Sequence, residues 1–320
     1  MKHLYKNILK ALVVVILFYT SAANAQVTSP LTQFTRLPYL YNPAATGMEN
    51  FTDLKLGYKQ QWGFTNGSPK SFILGINHTI NAQSSEQATS GSTKVGLGGY
   101  VVRQNVGDYN DLQTGISTAV HVPISQNYFL GLGLKAGFSR TALNTQDIQI
   151  RDEQDRFYKN LVMAGSLSYL NVDAGIMLHS DKFYIGYSPA GLIKNRLNND
   201  LNTEEKLALR HTAMVGYIYR VNEEWEISPN LLANFEADLD PAYNLNLKAR
   251  FQSKFLAGIG FSPERSVSGI FGFNPDNKIN ISYSFDKSIN QGNAFNFGNS
   301  HEIILGIQLF SKSTQQARLW

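Results

Sequence analysis

Histidine is the commonest metal ligand and general base in proteins, so its placement is the first guide to chemistry. After the first ten residues the histidines lie far apart in the sequence, each on or at the end of a different predicted strand: His78, His121, His179, His211 and His301. None has a second histidine at the spacing of a metal-ligand pair. We therefore predict no metal site and expect these side chains to be structural.

The other candidates for chemistry lack a complete set of groups. His121 and Ser125 are close in sequence, but no acidic residue is placed to orient the imidazole, and no Gly-x-Ser-x-Gly motif is present. Gly96–Gly99 is not followed by a helix, so we expect it to mark close packing or tight curvature and not a phosphate-binding loop. We predict no catalytic residue and no cofactor, and that the chain is not an enzyme.

The densest cluster of charges is Arg151–Arg156. A solvated loop is the simplest interpretation of such a cluster. Binding of calcium or of a partner is the alternative, although the spacing does not match an EF-hand loop.

The first residues have the three parts of a cleavable secretory signal. A basic start is followed by the apolar run Ala11–Tyr19 and by Ala23-Asn24-Ala25, so we expect cleavage after Ala25. The apolar run is shorter than the roughly 20 residues that a transmembrane helix needs. Residues 1–25 are therefore assigned to a signal peptide, with export as the consequence.

Removing this signal changes the charge balance. The chain has 28 basic and 24 acidic residues, and three lysines leave with the signal, so the mature net charge is 28 − 3 − 24 = +1. A nearly neutral chain gives no reason to expect nucleic acid as a partner. The absence of cysteine excludes disulfides, thiolate metal sites and the lipid anchor of a bacterial lipoprotein.

The dominant period of the mature sequence is two. In Tyr243–Gln252 the apolar residues fall on one face and Asn, Lys, Arg and Gln on the other, which predicts a strand with one apolar and one polar face. We count about fourteen such runs, with boundaries uncertain by about 2–4 residues. The runs are 53–63, 70–81, 93–106, 111–124, 128–144, 171–179, 182–188, 209–221, 224–234, 242–252, 254–262, 266–274, 278–286 and 300–310.

The connections between these runs alternate in length. Tight polar turns follow the even-numbered runs, whereas the longest connections, 145–170, 189–208 and 287–299, follow odd-numbered ones. Outer-membrane barrels have short periplasmic turns and longer outside loops, so we predict an antiparallel transmembrane barrel with both termini in the periplasm. The Ser-rich connection 82–92 breaks this rule, and 203–207 is the best candidate for a helical turn. A secreted β-sandwich also alternates but has no reason to show this parity.

The segment before the first strand does not alternate. We divide the mature chain into an N-terminal periplasmic or plug segment (26–48), an outer-membrane barrel (49–311) and a periplasmic tail (312–320). Within the first segment, Asn-Pro starts a turn and Gly47 can adopt positive φ, so this segment could fold into the barrel mouth.

Several motifs, in order along the chain, resemble the PorP/SprF family of the type IX secretion system of Bacteroidetes. They begin with Asn42-Pro43-Ala44-Ala45-x-Gly47 and end with His301-Glu302-Ile303. The residues that carry the resemblance are Asn42, Pro43, Gly47, Gln61, Trp62, Pro69, Gly186, Ser188, Pro189, His211, Pro229, Tyr283, Asp286, His301 and Glu302. Their role, structural or in partner binding, is left open.

The resemblance implies an outer-membrane barrel that serves secretion or gliding motility. The implied partners are outer-membrane lipid, the periplasmic ring and peptidoglycan-associated lipoprotein of the apparatus, and secreted proteins with a C-terminal sorting domain. Two other hypotheses remain open: a passive or substrate-specific channel, of the porin or fatty-acid-transporter kind, and an outer-membrane hydrolase. The contents of the lumen distinguish the first two, since a filled mouth would prevent simple diffusion.

Overall fold

The structure is a computed structural model. It describes residues 30–49, 51–63, 67–81, 92–125, 127–143, 165–197, 209–237, 239–276, 278–289 and 298–309. The predicted signal peptide, the tail 312–320, the charge cluster Arg151–Arg156, the helical turn 203–207 and most of 82–92 lie outside these residues.

Nearly all of the described chain is antiparallel β-structure. The strands are β1 (Thr52–Gln60), β2 (Lys70–Asn81), β3 (Lys94–Val106), β4 (Tyr109–Ser125), β5 (Tyr128–Leu143), β6 (Ser166–His179), β7 (Phe183–Ala190), β8 (Ile193–Arg196), β9 (Arg210–Tyr217), β10 (Tyr219–Arg220), β11 (Trp225–Glu236), β12 (Ala242–Phe251), β13 (Phe255–Ser262), β14 (Ser266–Phe273), β15 (Ile279–Ser288) and β16 (Ser300–Leu309). Three short 3₁₀ helices precede them: Phe34–Arg36, Pro38–Leu40 and Pro43–Ala45.

The strands close into one barrel because β1 pairs with both β2 and β16. β7 and β8 both pair with β6 and form one interrupted strand, as β9 and β10 do against β11. The barrel therefore has fourteen strands, and the predicted fold class is confirmed. Closure leaves no exposed sheet edge, which is what lets a β-structure cross lipid.

The interruptions have local causes. Between β7 and β8, Gly191 adopts φ +80°, and its N–H donates to Asp173 across a distance of 2.7 Å. The ladder to β11 is interrupted at Tyr217 and Ile218, which lie opposite Pro229 and Ser228, and Pro229 has no N–H to donate to a ladder. The register is the same on both sides of that break, since Asn230 pairs with Gly216 and Ile227 with Tyr219.

Side chains alternate across the wall as the period of two predicts. On β12 the side chains of Asn244, Asn246, Lys248 and Arg250 are buried inside the barrel, whereas Leu245 and Leu247 are exposed on the outside. Exposed apolar side chains cover the outer face of every long strand, an arrangement suited to lipid. Most inward side chains are polar, but apolar ones such as Met177, Met214, Leu232 and Ile304 also face inward and pack in clusters with Phe34, Leu37 and neighbouring apolar residues.

Aromatic residues cluster at both ends of the outer face. Tyr128 and Phe183, Trp225 and Phe251, and Phe255 and Phe273 pair at one end, with ring centroids 4.7–5.8 Å apart. At the other end Tyr58 packs against Phe72, and Phe235 against Tyr243. These two belts match the aromatic girdles of outer-membrane barrels.

The two ends of the barrel differ in their connections. We call "turn end" the end at which β4 joins β5, β6 joins β7 and β12 joins β13, and "loop end" the end at which β5 joins β6 and β8 joins β9. Gln252 and Ser253 form a two-residue turn at the turn end, with both φ angles positive. The loop end carries the two longest connections, 144–165 and 197–209, but also tight ones, such as Gly107-Asp108 between β3 and β4. One long connection, 82–93 between β2 and β3, is at the turn end, as predicted from the sequence. Thr52 and Leu309, which pair, place the start of β1 and the end of β16 at the turn end.

The described helices include none long and apolar enough to span a bilayer.

We expect the loop end to face the outside of the cell, because longer connections lie outside in outer-membrane barrels. The chain has no cysteine, so single cysteines can be introduced without background: Asp108→Cys at the loop end and Glu223→Cys at the turn end, both exposed positions. A membrane-impermeant maleimide should label the first variant in intact cells and the second only after lysis. If only the Glu223→Cys variant were labelled in intact cells, the turn end would face the outside, contrary to this prediction.

Candidate functional site: the lumen and its plug

The barrel contains its own N-terminal segment. Residues 30–49, here called the plug, lie inside the wall as three short 3₁₀ helices joined by turns. Most plug side chains are buried, and those of Phe34 and Leu37 are fully so. Pro38 and Pro43 begin the second and third helices, where the missing N–H costs nothing. The sequence thus forms tight turns that fit a narrow lumen.

Near the loop end a carboxylate binds the first residues of the plug. Both oxygens of Glu302, on β16, accept backbone N–H groups: Thr32 N at 2.9 Å and Gln33 N at 3.0 Å. The hydroxyl of Thr32 donates to Asp286 Oδ2, on β15, at 2.7 Å. Glu302 is 1% exposed, so these bonds are shielded from water. Hydrogen bonds to an ionised acceptor are among the strongest in proteins.

Lys59 balances these two carboxylates. Its ammonium lies 3.5 Å from Glu302 and 3.8 Å from Asp286, and donates to the Pro30 carbonyl at 3.0 Å. We call Lys59, Asp286 and Glu302 the loop-end latch. Because Lys59 and Glu302 are directly paired across the β1–β16 seam, the latch spans the closure of the barrel.

Asn42 anchors the middle of the plug. Its side-chain oxygen accepts the Ala44 N–H at 2.9 Å and caps the third 3₁₀ helix, while its nitrogen donates to the Ile176 carbonyl at 3.2 Å. The amide fits against the wall because Gly175 and Gly186 lack side chains there. A Cβ at Gly175 would lie 2.0 Å from the Asn42 oxygen.

A buried ion pair also contacts this part of the plug. Lys135, on β5, lies 2.8 Å from Asp173, on β6, and donates to the Leu40 carbonyl at 3.0 Å. The other Asp173 oxygen accepts the Gly191 N–H. One pair thus connects the plug to the break between β7 and β8.

Glycines shape the wall to the plug. Inward-facing glycines whose added Cβ would lie closer than 3.0 Å to a plug atom are here called the glycine seats; they are Gly75, Gly96, Gly98, Gly133, Gly175 and Gly186. At Gly96 the Cβ would lie 2.1 Å from the Thr46 carbonyl oxygen, and at Gly133 2.3 Å from the Ala44 nitrogen. Such gaps accommodate backbone, which cannot move aside as a flexible side chain can. Close approach of another chain segment is one of the few uses of glycine within a strand.

Gly47 holds the turn-end part of the plug. It adopts φ +71°, donates to Asn77 Oδ1 at 2.7 Å and packs directly on Gly96. Thr79 donates to the Gly47 carbonyl at 3.0 Å. A side chain on Gly47 would meet both backbone strain and the Gly96 backbone, so glycine is required here.

Two histidines that are far apart in the sequence meet inside the barrel. His121, on β4, donates from Nε2 to the Thr46 carbonyl at 2.7 Å, and its Nδ1 lies 2.8 Å from His179 Nε2, on β6. The two strands flank β5, where Gly131 has no side chain to separate the rings. The pair contacts the plug through the bond from His121 to Thr46. Among the described residues no group of three or more side chains that could hold a metal ion occurs.

Cationic side chains line the opposite side of the lumen. Lys248 donates to Thr35 Oγ1 at 2.6 Å, and Arg36 of the plug donates to Asn280 Oδ1 at 3.2 Å. The pKa of the Arg36 guanidinium is lowered to about 10, mainly by burial. The charge of Asp53 opposes this shift and that of Arg250 adds to it. Arg36 therefore enters the lumen as a buried cation held by the wall.

The motif residues outside the lumen fall into two groups. Gln61 and Trp62 begin the β1–β2 connection at the loop end and Pro69 ends it; the Gln61 N–H donates to the Pro69 carbonyl at 2.9 Å. On the outer face, the Tyr187 hydroxyl is hydrogen-bonded to His211 Nδ1 at 2.6 Å.

The remaining motif residues follow the same division. The Tyr283 hydroxyl is hydrogen-bonded to His301 Nδ1 at 2.8 Å on the outer face, and Pro189 and Pro229 also lie there. Ser188 faces inward and donates to the Ala174 carbonyl at 2.6 Å. The motif residues that meet the plug or form it are thus Asn42, Pro43, Gly47, Gly186, Asp286 and Glu302.

Several contact residues are missed by motif reasoning. Lys59, Lys135, Asp173, Lys248 and the pair His121 and His179 all lie on the polar faces of predicted strands. The alternation of polar and apolar residues along the strands is enough to predict that each of them faces the lumen. Their partners in the plug could not be found, because those contacts join distant parts of the sequence.

Comparison with known proteins identifies the family. The model of the family described as "Type IX secretion system membrane protein PorP/SprF" matches residues 23–307. The chain belongs to the PorP/SprF family. The resemblance inferred from the motifs is confirmed, and this PorP/SprF protein is located in the outer membrane. No curated protein sequence matches it.

The chain is similar to several solved outer-membrane barrels. The toluene transporter TodX of Pseudomonas putida is 10% identical, with 88% of this chain and 98% of that chain covered and a TM-score of 0.49. Omp33 of Acinetobacter baumannii is 12% identical, with 82% and 100% covered and a TM-score of 0.46. A FadL homologue of Pseudomonas aeruginosa is 11% identical, with 83% and 91% covered and a TM-score of 0.44.

We expect Glu302→Gln to loosen the plug while leaving the barrel folded. Removing one partner of a buried ion pair costs about 3–5 kcal/mol. At about 1.4 kcal/mol per factor of ten, amide hydrogen exchange at Thr32 and Gln33 should accelerate about 100-fold or more. The matched control is Glu236→Gln, an inward-facing acid on β11 that is not part of the latch. Unchanged exchange at both amides would show that the latch does not hold the plug.

Proposed function

We propose that this protein is a non-enzymatic outer-membrane barrel of the type IX secretion and gliding apparatus. It anchors or escorts a secreted surface protein or a periplasmic component of the apparatus. The observation that carries the proposal is the filled lumen: residues 30–49 occupy the space that a solute would cross, and are bound there by the latch, the glycine seats and buried ion pairs.

A filled lumen favours partner binding over transport. The plug is bonded to β1, β5, β15 and β16, so it is held on several sides of the wall. With the interior occupied by the chain itself, the surfaces left for a partner are the two rims.

A channel of the porin or fatty-acid-transporter kind remains the second candidate. A fourteen-strand barrel is wider than an eight-strand one, whose interior side chains alone fill. Such a barrel would conduct if the plug left it. The break between β7 and β8, joined to the plug through Asp173 and Lys135, is the specific feature that favours this candidate.

The partner role is tested by crosslinking from native outer membranes. A photo-crosslinking residue is placed at Asp108, at Glu223, or at Ile259, which is 63% exposed on the outer face and serves as the control. We expect mass spectrometry to recover secretion components or secreted surface proteins from one or both rim positions but not from Ile259. Recovery of none of these proteins from either rim would contradict the proposal.

Channel activity is tested in planar lipid bilayers. Wild-type protein should give no steady conductance, whereas Gly96→Ala combined with Gly133→Ala should open the barrel, because each Cβ would overlap plug backbone. The matched control is Gly99→Ala, on the same strand as Gly96. The Cβ added at Gly99 would meet its nearest neighbouring atom at an ordinary van der Waals distance of 3.6 Å. Steady conductance by the wild-type protein would favour the channel.

The absence of catalysis is tested on the same purified protein. Ester and phospholipid substrates should show no turnover above that of a heat-denatured sample. Turnover would support the hydrolase hypothesis.

A further inference from the structure

The outer face of the barrel lacks acidic residues. Along the described strands every aspartate and glutamate points into the lumen: Asp53, Asp111, Asp173, Glu226, Glu236, Asp286 and Glu302. The outward positions of these strands are apolar, aromatic, small or uncharged polar, apart from a few cations. Any charge that this face presents to lipid is therefore positive.

These cations lie at one end only. Lys70 is the first residue of β2, Arg103 lies three residues before the end of β3, Arg140 three before the end of β5, and Lys287 one before the end of β15. All four positions are at the loop end, and all four side chains are exposed. The outward positions at the turn end carry no charge among the described strand residues.

Arg103 and Arg140 are aligned on the wall. Arg103 pairs with Leu112 and Leu112 pairs with Arg140, so the two arginines share one line across β3, β4 and β5. Neighbouring strands are about 4.8 Å apart, which places the two Cα atoms about 10 Å apart. Lys70 lies one strand further and two residues closer to the loop end, because it pairs with Asn105 while Phe72 pairs with Arg103.

This arrangement suits phosphate. The guanidinium group binds phosphate with two parallel hydrogen bonds and keeps its charge at any physiological pH. Leu112, between the arginines, offers an apolar surface on which an acyl chain can lie. None of the four cations forms an ion pair with an acidic residue of the described chain.

We propose that Arg103, Arg140 and Lys70 form a binding site for the phosphate groups of an anionic lipid in the leaflet at the loop end. A lone cation at a membrane interface extends to the headgroups without selecting one. Two arginines on one pairing line, with a lysine beside them, present several donors to a single headgroup. The site is on the outer face and does not depend on the plug or on the proposed function.

The test measures lipid binding to the full-length purified barrel by native mass spectrometry, with phosphorylated lipid A and its dephosphorylated form as probes. Each basic residue near an anionic surface contributes about 1 kcal/mol, roughly fivefold. Arg103→Gln with Arg140→Gln should therefore weaken binding of the phosphorylated lipid about 30-fold. Arg103→Lys with Arg140→Lys keeps the charge and should lose less.

Two controls make the result specific. Lys182→Gln with Lys254→Gln removes two exposed cations from the turn end and should leave binding unchanged. Heat-modified mobility on gels shows that each variant is folded. Equal binding by wild-type and double-arginine variants, equal loss in the turn-end control, or equal binding of the dephosphorylated lipid would each overturn the proposal.

Discussion

Polar groups inside a narrow closed barrel must find hydrogen-bond partners, and this requirement organises the structure. Because lipid requires an apolar outer face, the alternation of strands directs asparagines, lysines and carboxylates inward. Leaving such groups buried without partners costs several kcal/mol for a charge. The plug supplies partners: backbone N–H groups for Glu302 and carbonyls for Lys59 and Lys135. The polar lumen and the plug are thus two halves of one network.

The glycine seats provide the space that these hydrogen bonds between the wall and the plug require. A plug of irregular backbone can bond to the wall only if some positions bring it very close, and a Cβ at Gly96 or Gly133 would prevent this approach. The cost is a less favourable strand residue, since glycine has no side chain to pack. A lumen kept open for solutes would gain nothing from such positions. Their alignment with Asn42, Ala44 and Thr46 indicates a wall shaped to a resident segment.

Much of the fold could be predicted from the sequence because it is encoded locally. The alternation in Tyr243–Gln252 requires no knowledge of any other strand, and polar turns such as that at Ser253 mark its end. The lumen contacts are different. Glu302 and Thr32 are 270 residues apart, and no local pattern connects a carboxylate to two backbone N–H groups. Likewise His121 and His179 lie on the two strands that flank β5, and they meet because Gly131 of β5 has no side chain between them. This relation depends on the pairing register.

The same register links plug binding to completion of the barrel. Lys59 lies on the first strand and Glu302 on the last, paired directly where the wall closes. Asp286 is on the strand next to the last. The loop-end latch is therefore complete only when β16 has paired with β1, since until then its ammonium and its carboxylates are on separated parts of the chain. The plug, which precedes every strand in the sequence, is thus held in part by β15 and β16, the last strands to complete the barrel around it. Docking of the first residues and closure by the last strand stabilise each other, because each supplies partners to charges that the other buries.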